Sequence, residues 1–137
     1  MSKYIPSPRQ RVSAQVEQYE GSGGTAGLTL RDTGLPVIIV TNHGWKTGAI
    51  RKTPLMRVVD GHNYILGAPK HPQWYHNWKA DPNVEIRDKT EVYAMQVREI
   101  VDSAERARLW DIAVKAFPPY QEYQNKTDRL IPIFLAQ

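Results

Sequence analysis

The chain has 137 residues, 41% of them apolar and 23% charged, with a formal net charge of +4. That balance fits a folded chain with its own core rather than a disordered one, and the length is that of a single domain, 1–137. There are no cysteines, which excludes disulfides, thiolate nucleophiles and cysteine-ligated metal or iron–sulfur centres together. The opening, Met1-Ser2-Lys3-Tyr4-Ile5-Pro6, lacks the apolar run of a secretory signal. No stretch approaches the ~20 apolar residues of a membrane-spanning helix, so the expected location is cytoplasmic.

In chain order, Ser7-Pro8 predicts a helix start, and Val12, Val16 and Tyr19 recur at helical spacing over Arg9 to Glu20. Gly21-Ser22-Gly23-Gly24 ends that helix in a joint, so 1–24 reads as a helix and its glycine-rich connection. Short strands are expected at Leu28–Leu30 and at Pro36–Thr41, the latter buried by its continuous β-branched run. Asn42 to Pro54 carries a reversal bracketed by Gly44 and Gly48, both read as suppliers of φ > 0, and a strand follows from Ile50 to Val59. Asp60-Gly61 turns the chain into a strand at Asn63–Leu66. Pro72 to Ala80 predicts a short helix, Val84–Arg87 and Val92–Ile100 predict strands, and Asp102 or Ser103 caps a helix running to Phe117. One or two helical turns over Tyr120–Lys126 and a strand over Ile131–Leu135 close the chain. About seven short strands in successive hairpins, with helices between them, indicate an α+β fold with a closed or nearly closed antiparallel barrel. A barrel of that size is filled by its own side chains, which puts a ligand site in an outer groove where helices and loops meet the strands.

The charge is uneven. Between Thr41 and Ala80 stand six basic residues, Lys46, Arg51, Lys52, Arg57, Lys70 and Lys79, against the single acid Asp60. That is a local net of +5, which leaves −1 for the rest of the chain. A nucleic-acid binder more often spreads its lysines along a helix or in tracts, so a local excess points to a compact anionic ligand. Lys46 in the turn, Arg51 and Lys52 on the returning strand, the turn amides and the Thr47 hydroxyl form an anion cradle on this reading. The same residues equally suit an ordinary hairpin with a solvated cationic tip.

Other chemistry has little apparatus. Among the four histidines only His71 and His76 are close, five apart across Pro72, which is poor spacing for two metal ligands on one helical face. There is no nucleophile elbow, no glycine-rich dinucleotide fingerprint and no phosphate-binding loop ending in Gly-Lys-Ser/Thr. On a helix, Trp74, Asn77 and Trp78 share a face while Tyr75 and His76 turn away. Trp78 suits a core. An Asn77 on that face needs partners for its amide, which gives the pair Trp74 and Asn77 a second reading, a wall and a hydrogen bond for a planar ring. Tyr120 and Tyr123, beside Phe117, wall a pocket or simply cover the barrel end.

The blocks Thr-x-x-Gly-x-Lys-Thr-Gly-x-x-Arg-x-x-Pro-Leu (Thr41 to Leu55), Gly-Ala-Pro-x-His-Pro-x-Trp-Tyr-x-Asn (Gly67 to Asn77), Ala80-Asp81-Pro82-x-Val84 and the Tyr120 to Pro132 segment together resemble the deazaflavin-dependent nitroreductase family. The resemblance runs from about Gln15 to Leu135, with its blocks in the family's order. It implies a split β-barrel of the FMN-binding type, mostly antiparallel with a few flanking helices, using coenzyme F-420. That cofactor is a flat 8-hydroxy-5-deazaflavin with a phosphodiester and an oligoglutamate tail. By resemblance, Lys46, Thr47 and Arg51 match positions that hold the phosphate and tail, and Thr53, Pro54, Trp74 and Asn77 match positions beside the ring. Tyr120 and Tyr123 match substrate-side tyrosines. The implied reaction is hydride transfer from the reduced deazaflavin to an electron-poor acceptor such as a quinone, activated enone or nitroaromatic.

Two departures from the family pattern stand out. Trp45 occupies a rim position where relatives often carry arginine, and the stretch before Gly67 is short, so Ala68, Pro69 and Lys70 stand in for a polar, glycine-rich lining. FMN in the same groove and a non-catalytic cofactor-binding protein are the competing expectations. Neither nucleic acid nor a metal is expected. The opening helix, with Arg9 and Arg11, offers a weak contact to an anionic membrane surface, and split barrels occur as monomers or homodimers.

Overall fold

The β-branched run after Pro36 becomes one of the inner strands of a seven-stranded antiparallel sheet. The computed structural model describes residues 3–30, 33–67 and 72–137, with Pro72 described for its backbone alone. Its elements are α1 (Gln10–Gly21), β1 (Val37–His43), β2 (Ile50–Met56), β3 (Val59–Asp60), β4 (Asn63–Gly67), α2 (Pro72–Ala80), β5 (Asn83–Asp88), β6 (Glu91–Glu99), α3 (Ser103–Ala116), α4 (Pro119–Asn125) and β7 (Ile133–Ala136). The strand order is β2-β1-β5-β6-β7-β4-β3. The expected strand from Ile50 to Val59 is therefore two strands at opposite edges of the sheet. Met56 and Val59 bound a connection of only Arg57 and Val58, which can span no more than about 11 Å. The sheet must curl until its first and last strands approach each other, and that curl is the nearly closed barrel.

Three contacts hold the seam. Arg57 Nε lies 2.8 Å from Asp88 Oδ2, the Tyr64 hydroxyl donates to the same oxygen at 2.6 Å, and the Arg57 amide donates to the Pro36 carbonyl at 3.0 Å. The corner between β2 and β3 is thus tied to β4 and to the end of β5.

Register assigns the faces. Ile38 pairs with Leu55, Val40 with Thr53 and Asn42 with Arg51, so these six side chains leave the sheet on one side. There Ile38, Val40 and Leu55 join Tyr64, Ile86, Phe134 and Trp78 of α2 in one apolar cluster. Val37, Ile39 and Met56 point the other way, into a second cluster under α1, α3 and α4. Pro54 is tolerated because β2 is an edge strand. The Ile50 amide and carbonyl bond outward to Lys3 and Ile5, so by alternation the missing Pro54 N–H would also face away from β1.

The first helix begins later than expected. Ser7 Oγ accepts from the Arg9 amide, and Arg9 occupies the N-cap position with no side-chain cap. Val16 and Tyr19 are buried against the sheet, where the Tyr19 hydroxyl donates to the Val37 carbonyl at 3.2 Å and accepts from the Lys89 amide at 2.6 Å. The apolar face expected to touch a membrane surface is occupied by the core. No helix among the described residues is long and apolar enough to cross a membrane. At the far end of the chain, Asp102 rather than Ser103 caps α3, its carboxylate accepting from the Glu105 amide at 2.9 Å.

Candidate functional site

The loop from Gly44 to Ala49 joins β1 to β2 and is closed from within. Gly44 N–H donates to the Ala49 carbonyl and Gly48 N–H to the Gly44 carbonyl, both at 2.8 Å, while Ala49 N–H donates to Thr47 Oγ1 at 3.2 Å. Only Gly48 of the two bracketing glycines has φ > 0, at 72°; Gly44 needs no such freedom. The Trp45 amide donates across to Asn77 Oδ1 of α2 at 2.8 Å. That leaves the Lys46 and Thr47 amides without a protein acceptor among the described residues, and two adjacent N–H groups are the core of an anion nest.

The cations of this region divide sharply. Lys52 is bound to Glu20 at 2.6 Å on the α1 side of the sheet, Arg57 to Asp88 at 2.8 Å, and Lys79 to Glu99 at 3.3 Å. Lys46 and Arg51 have no carboxylate partner among the described residues. Lys46 Nζ stands 5.2 Å from the centre of the Trp45 ring, and Arg51 Nη1 donates to the Ile5 carbonyl at 3.3 Å. The doubled basic limb expected on β2 is therefore single. Lys52 alternates to the other face, where Glu20 neutralises it and Tyr4 lies 5.5 Å from its ammonium.

On α2, Trp78 is core, 2% exposed, and meets Phe134 edge-on at 5.0 Å; the half-buried Trp74 stacks beside it at 6.1 Å and 25°. Trp78 Nε1 is buried without a hydrogen-bond partner among the described residues. Tyr75 and His76 do not turn away as the helical wheel suggested. Tyr75 packs on Phe134 and donates its hydroxyl to Glu99 Oε1 at 3.1 Å, and the His76 ring lies 5.4 Å from that of Trp45. The indole N–H of Trp45 donates to Gln73 Oε1 at 3.2 Å. Gln73 and His76 thus belong to the turn–helix contact although no motif marks them. The helix is short and grips the loop with one end while its other side caps the sheet.

Thr53 faces α2 and Pro54 faces away, so at most one of the two presents its side chain to any ligand lying on that face. Ala68, Pro69 and Lys70 lie outside the described residues. Tyr120 is 6% exposed, set edge-on to Phe117 at 5.1 Å and packed against Gly67, where even a methyl group would press on its ring at 3.2 Å. Burial pushes its phenol well above the ordinary value, with the neighbouring Tyr123 adding to the effect. Tyr123 is half-buried, its ring 6.5 Å from Phe117. Both tyrosines sit in the cluster under α3 and α4, with Tyr120 reaching the end of β4 from which the chain leaves for α2.

Residues 11–137 match the family model described as F420H(2)-dependent quinone reductase. The chain belongs to that family. An F420H(2)-dependent quinone reductase of Mycobacterium tuberculosis is 32% identical over 122 residues, covering 84% of this chain and 81% of its own length. Among solved structures of the family's type, the F420-H2 dependent reductase FDR-A is 44% identical with a TM-score of 0.69, covering 74% of this chain and 94% of that one. A second structure, solved as a domain-swapped dimer, is 42% identical with a TM-score of 0.71 over 96% of this chain and 100% of its own. At 14% identity, a pyridoxinephosphate-oxidase-family protein of Clostridium acetobutylicum shares the fold alone, with a TM-score of 0.53 over 90% of this chain and 84% of that one. The quinone reductase family therefore has the split-barrel fold in this chain, and the curled sheet with α2 on one face and α1, α3 and α4 on the other is that barrel.

Proposed function

We propose that the chain is an oxidoreductase that passes hydride from reduced coenzyme F-420 to an electron-poor conjugated acceptor, a quinone first and activated enones or nitroaromatics by the same chemistry, with 1–137 acting as one domain. The observation that carries this reading is the segregation of charge. Three cations of the basic segment are neutralised by carboxylates, whereas Lys46 on the loop and Arg51 on the sheet face that α2 covers have no carboxylate beside them among the described residues. An unpaired cation beside two free amides fits the phosphodiester and carboxylates of a polyanionic tail, and the half-buried Trp74 fits the flat ring.

When bound and reduced, the deazaflavin supplies the hydride; the acceptor takes it together with a proton. The protein's part is to bind, orient and exclude water. Lys46, the adjacent Thr47 and Arg51 hold the tail, and Thr53 and Trp74 flank the ring, with Pro54 lining the strand edge. A phenol held protonated by burial is a hydrogen-bond donor at neutral pH and a poor acid. On this reading Tyr120 or Tyr123 orients or protonates the acceptor from the β4 end of the cluster under α3 and α4, where Tyr120 meets Gly67, while Trp74 lies on the other face of the sheet. A Tyr123→Phe variant is expected to keep cofactor affinity and lose turnover on quinones; unchanged turnover on every acceptor would remove that role.

The deciding experiment titrates the apo-protein with coenzyme F-420 and with FMN, then follows oxidation of the reduced deazaflavin against a panel of quinones and enones. Tight FMN binding with no response to the deazaflavin would replace the reading by a flavoprotein one. Binding without any turnover would make the chain a carrier. The chain's similarity to a relative solved as a domain-swapped dimer supports a homodimer, which light scattering at micromolar concentration measures directly.

A further inference from the structure

Asn77 is 6% exposed, and its carbonyl oxygen accepts the Trp45 amide from 32 residues away in sequence. Trp45 lies outside the β1–β2 ladder, which ends at the pair His43–Ile50. Its N–H therefore has no strand partner, and Asn77 is what satisfies it. Gln73 sits one helical turn before Asn77 on the same side of α2 and takes the indole N–H, and His76 packs against the indole ring. Three successive contacts of one helix thus converge on a single loop residue, the one immediately before Lys46. Gln73 and His76 are exposed, so water competes for their contacts; the Asn77 bond is shielded and is the one whose loss leaves a buried polar group unpaired.

We infer that Asn77 is a positioning residue that acts on the anionic tail through Lys46 by pinning the loop to α2, instead of hydrogen-bonding the cofactor ring. With its oxygen committed to the Trp45 amide, Asn77 fixes the loop so that the Lys46 and Thr47 amides and the Lys46 ammonium stay grouped. The Trp45 indole adds a second and weaker grip on the same helix. What Lys46 holds rests on the function proposed above; that Asn77 holds the loop does not.

The test separates the two. In the cofactor-free wild-type protein, amide hydrogen exchange should show Trp45 protected while Lys46 and Thr47 exchange freely. Asn77→Ala should speed Trp45 exchange about tenfold or more and leave Ile39 of β1 unchanged. Asn77→Asp, which keeps an acceptor oxygen, should retain most of the protection, and it covers the case in which the alanine variant fails to fold. Binding of coenzyme F-420 to Lys46→Ala, Asn77→Ala and the double variant completes a cycle. A positioning role predicts that the losses in the double variant fall short of the sum of the single losses, because Asn77 and Lys46 act through the same loop, whose amides Lys46→Ala leaves in place. A Trp45 amide that exchanges as fast as Lys46 in the wild type, or fully additive losses in the cycle, would overturn the inference. Protection at Trp45 in a protein that binds no deazaflavin at all would leave the clamp standing and sink the proposed function instead.

Discussion

Lys46 and Lys52 belong to one hairpin, yet they should respond very differently to removal. The Lys46 ammonium has the Trp45 ring beside it and no carboxylate among the described residues, whereas Lys52 is tied to Glu20 at 2.6 Å on the other face of the sheet. Lys46→Ala should weaken coenzyme F-420 binding by about 10- to 100-fold, the loss of one hydrogen bond to a charged group, with little change in melting temperature. Lys52→Ala should leave affinity within about threefold and cost no more than about 1 kcal/mol of stability, since the pair is partly solvated. Parallel fluorescence titrations and thermal melts read both. At the same scale, Gly24 has φ of 85°, and a Cβ there would run into the Lys89 carbonyl. A Gly24→Ala variant should therefore lose about 2–4 kcal/mol in urea unfolding, combining left-handed backbone strain with overpacking. Gly21 and Gly23 stand in open space. The glycine-rich joint is thus pinned at one residue, not loose throughout.

Among the helices, α3 owes its start to a side chain. The Asp102 carboxylate accepts the Glu105 amide, and Glu105 in turn holds Arg98 of β6 through both carboxylate oxygens at 3.0 and 2.6 Å. Asp102→Ala should lower stability by about 1 kcal/mol, the usual worth of an N-cap, as measured by denaturant titration. The Arg98 hydrogen bond holds the Glu105 carboxyl below its ordinary value of 4.5. A depressed carboxylate contributes stability above its unfolded value and loses it as pH falls through the folded value, so this contact fades only in acid, below about pH 4.5. The helix α2 works differently. It has no acidic residue in its first turn, and its place is set by Trp78 in the core, by Tyr75 on Glu99 and by its grip on the Trp45 loop.

Across the whole molecule, closure of the barrel depends on Asp88. One of its oxygens receives both Arg57 from the corner between the edge strands and Tyr64 from β4. Removing it strands two donors, one of them buried, and Asp88→Ala should cost about 2–3 kcal/mol, discounted from a fully buried pair because Arg57 is 37% exposed. Burial, helped by the Asp88 hydrogen bond, pushes the Tyr64 phenol well above its ordinary value of 10. The neutral phenol is favoured in the folded state, so stability is fully present below pH 10 and declines as pH rises toward the folded value. Tyr64→Phe should be less stable at neutral pH and should show a shallower loss above about pH 10, where the unfolded tyrosine of the wild type ionises. Urea midpoints on either side of that pH decide the matter.

The chain's own patterning determined the element types and much of their order. The β-branched run of β1, the alternation of β5 and β6, the Asp60-Gly61 turn and the apolar spacing of α1 and α3 are local signals, and those elements lie within a few residues of where the signals put them; the strand expected at Leu28–Leu30 is instead an isolated bridge from Thr29 to Pro36. The family motifs were likewise legible, because they are runs of neighbouring residues. What the sequence could not show was anything fixed by side-chain partners far apart in the chain. The break of one expected strand at Arg57 depends on Asp88, 31 residues on; the neutralisation of Lys52 depends on Glu20, 32 residues back; and the engagement of Asn77 depends on an amide in another loop. A net charge counts lysines without saying which have carboxylates beside them, and a helical wheel gives a face without saying what lies over it. The tertiary structure decided that Lys46 and Arg51, among the described cations of the basic segment, stand without a carboxylate, and which helix holds the loop that carries Lys46.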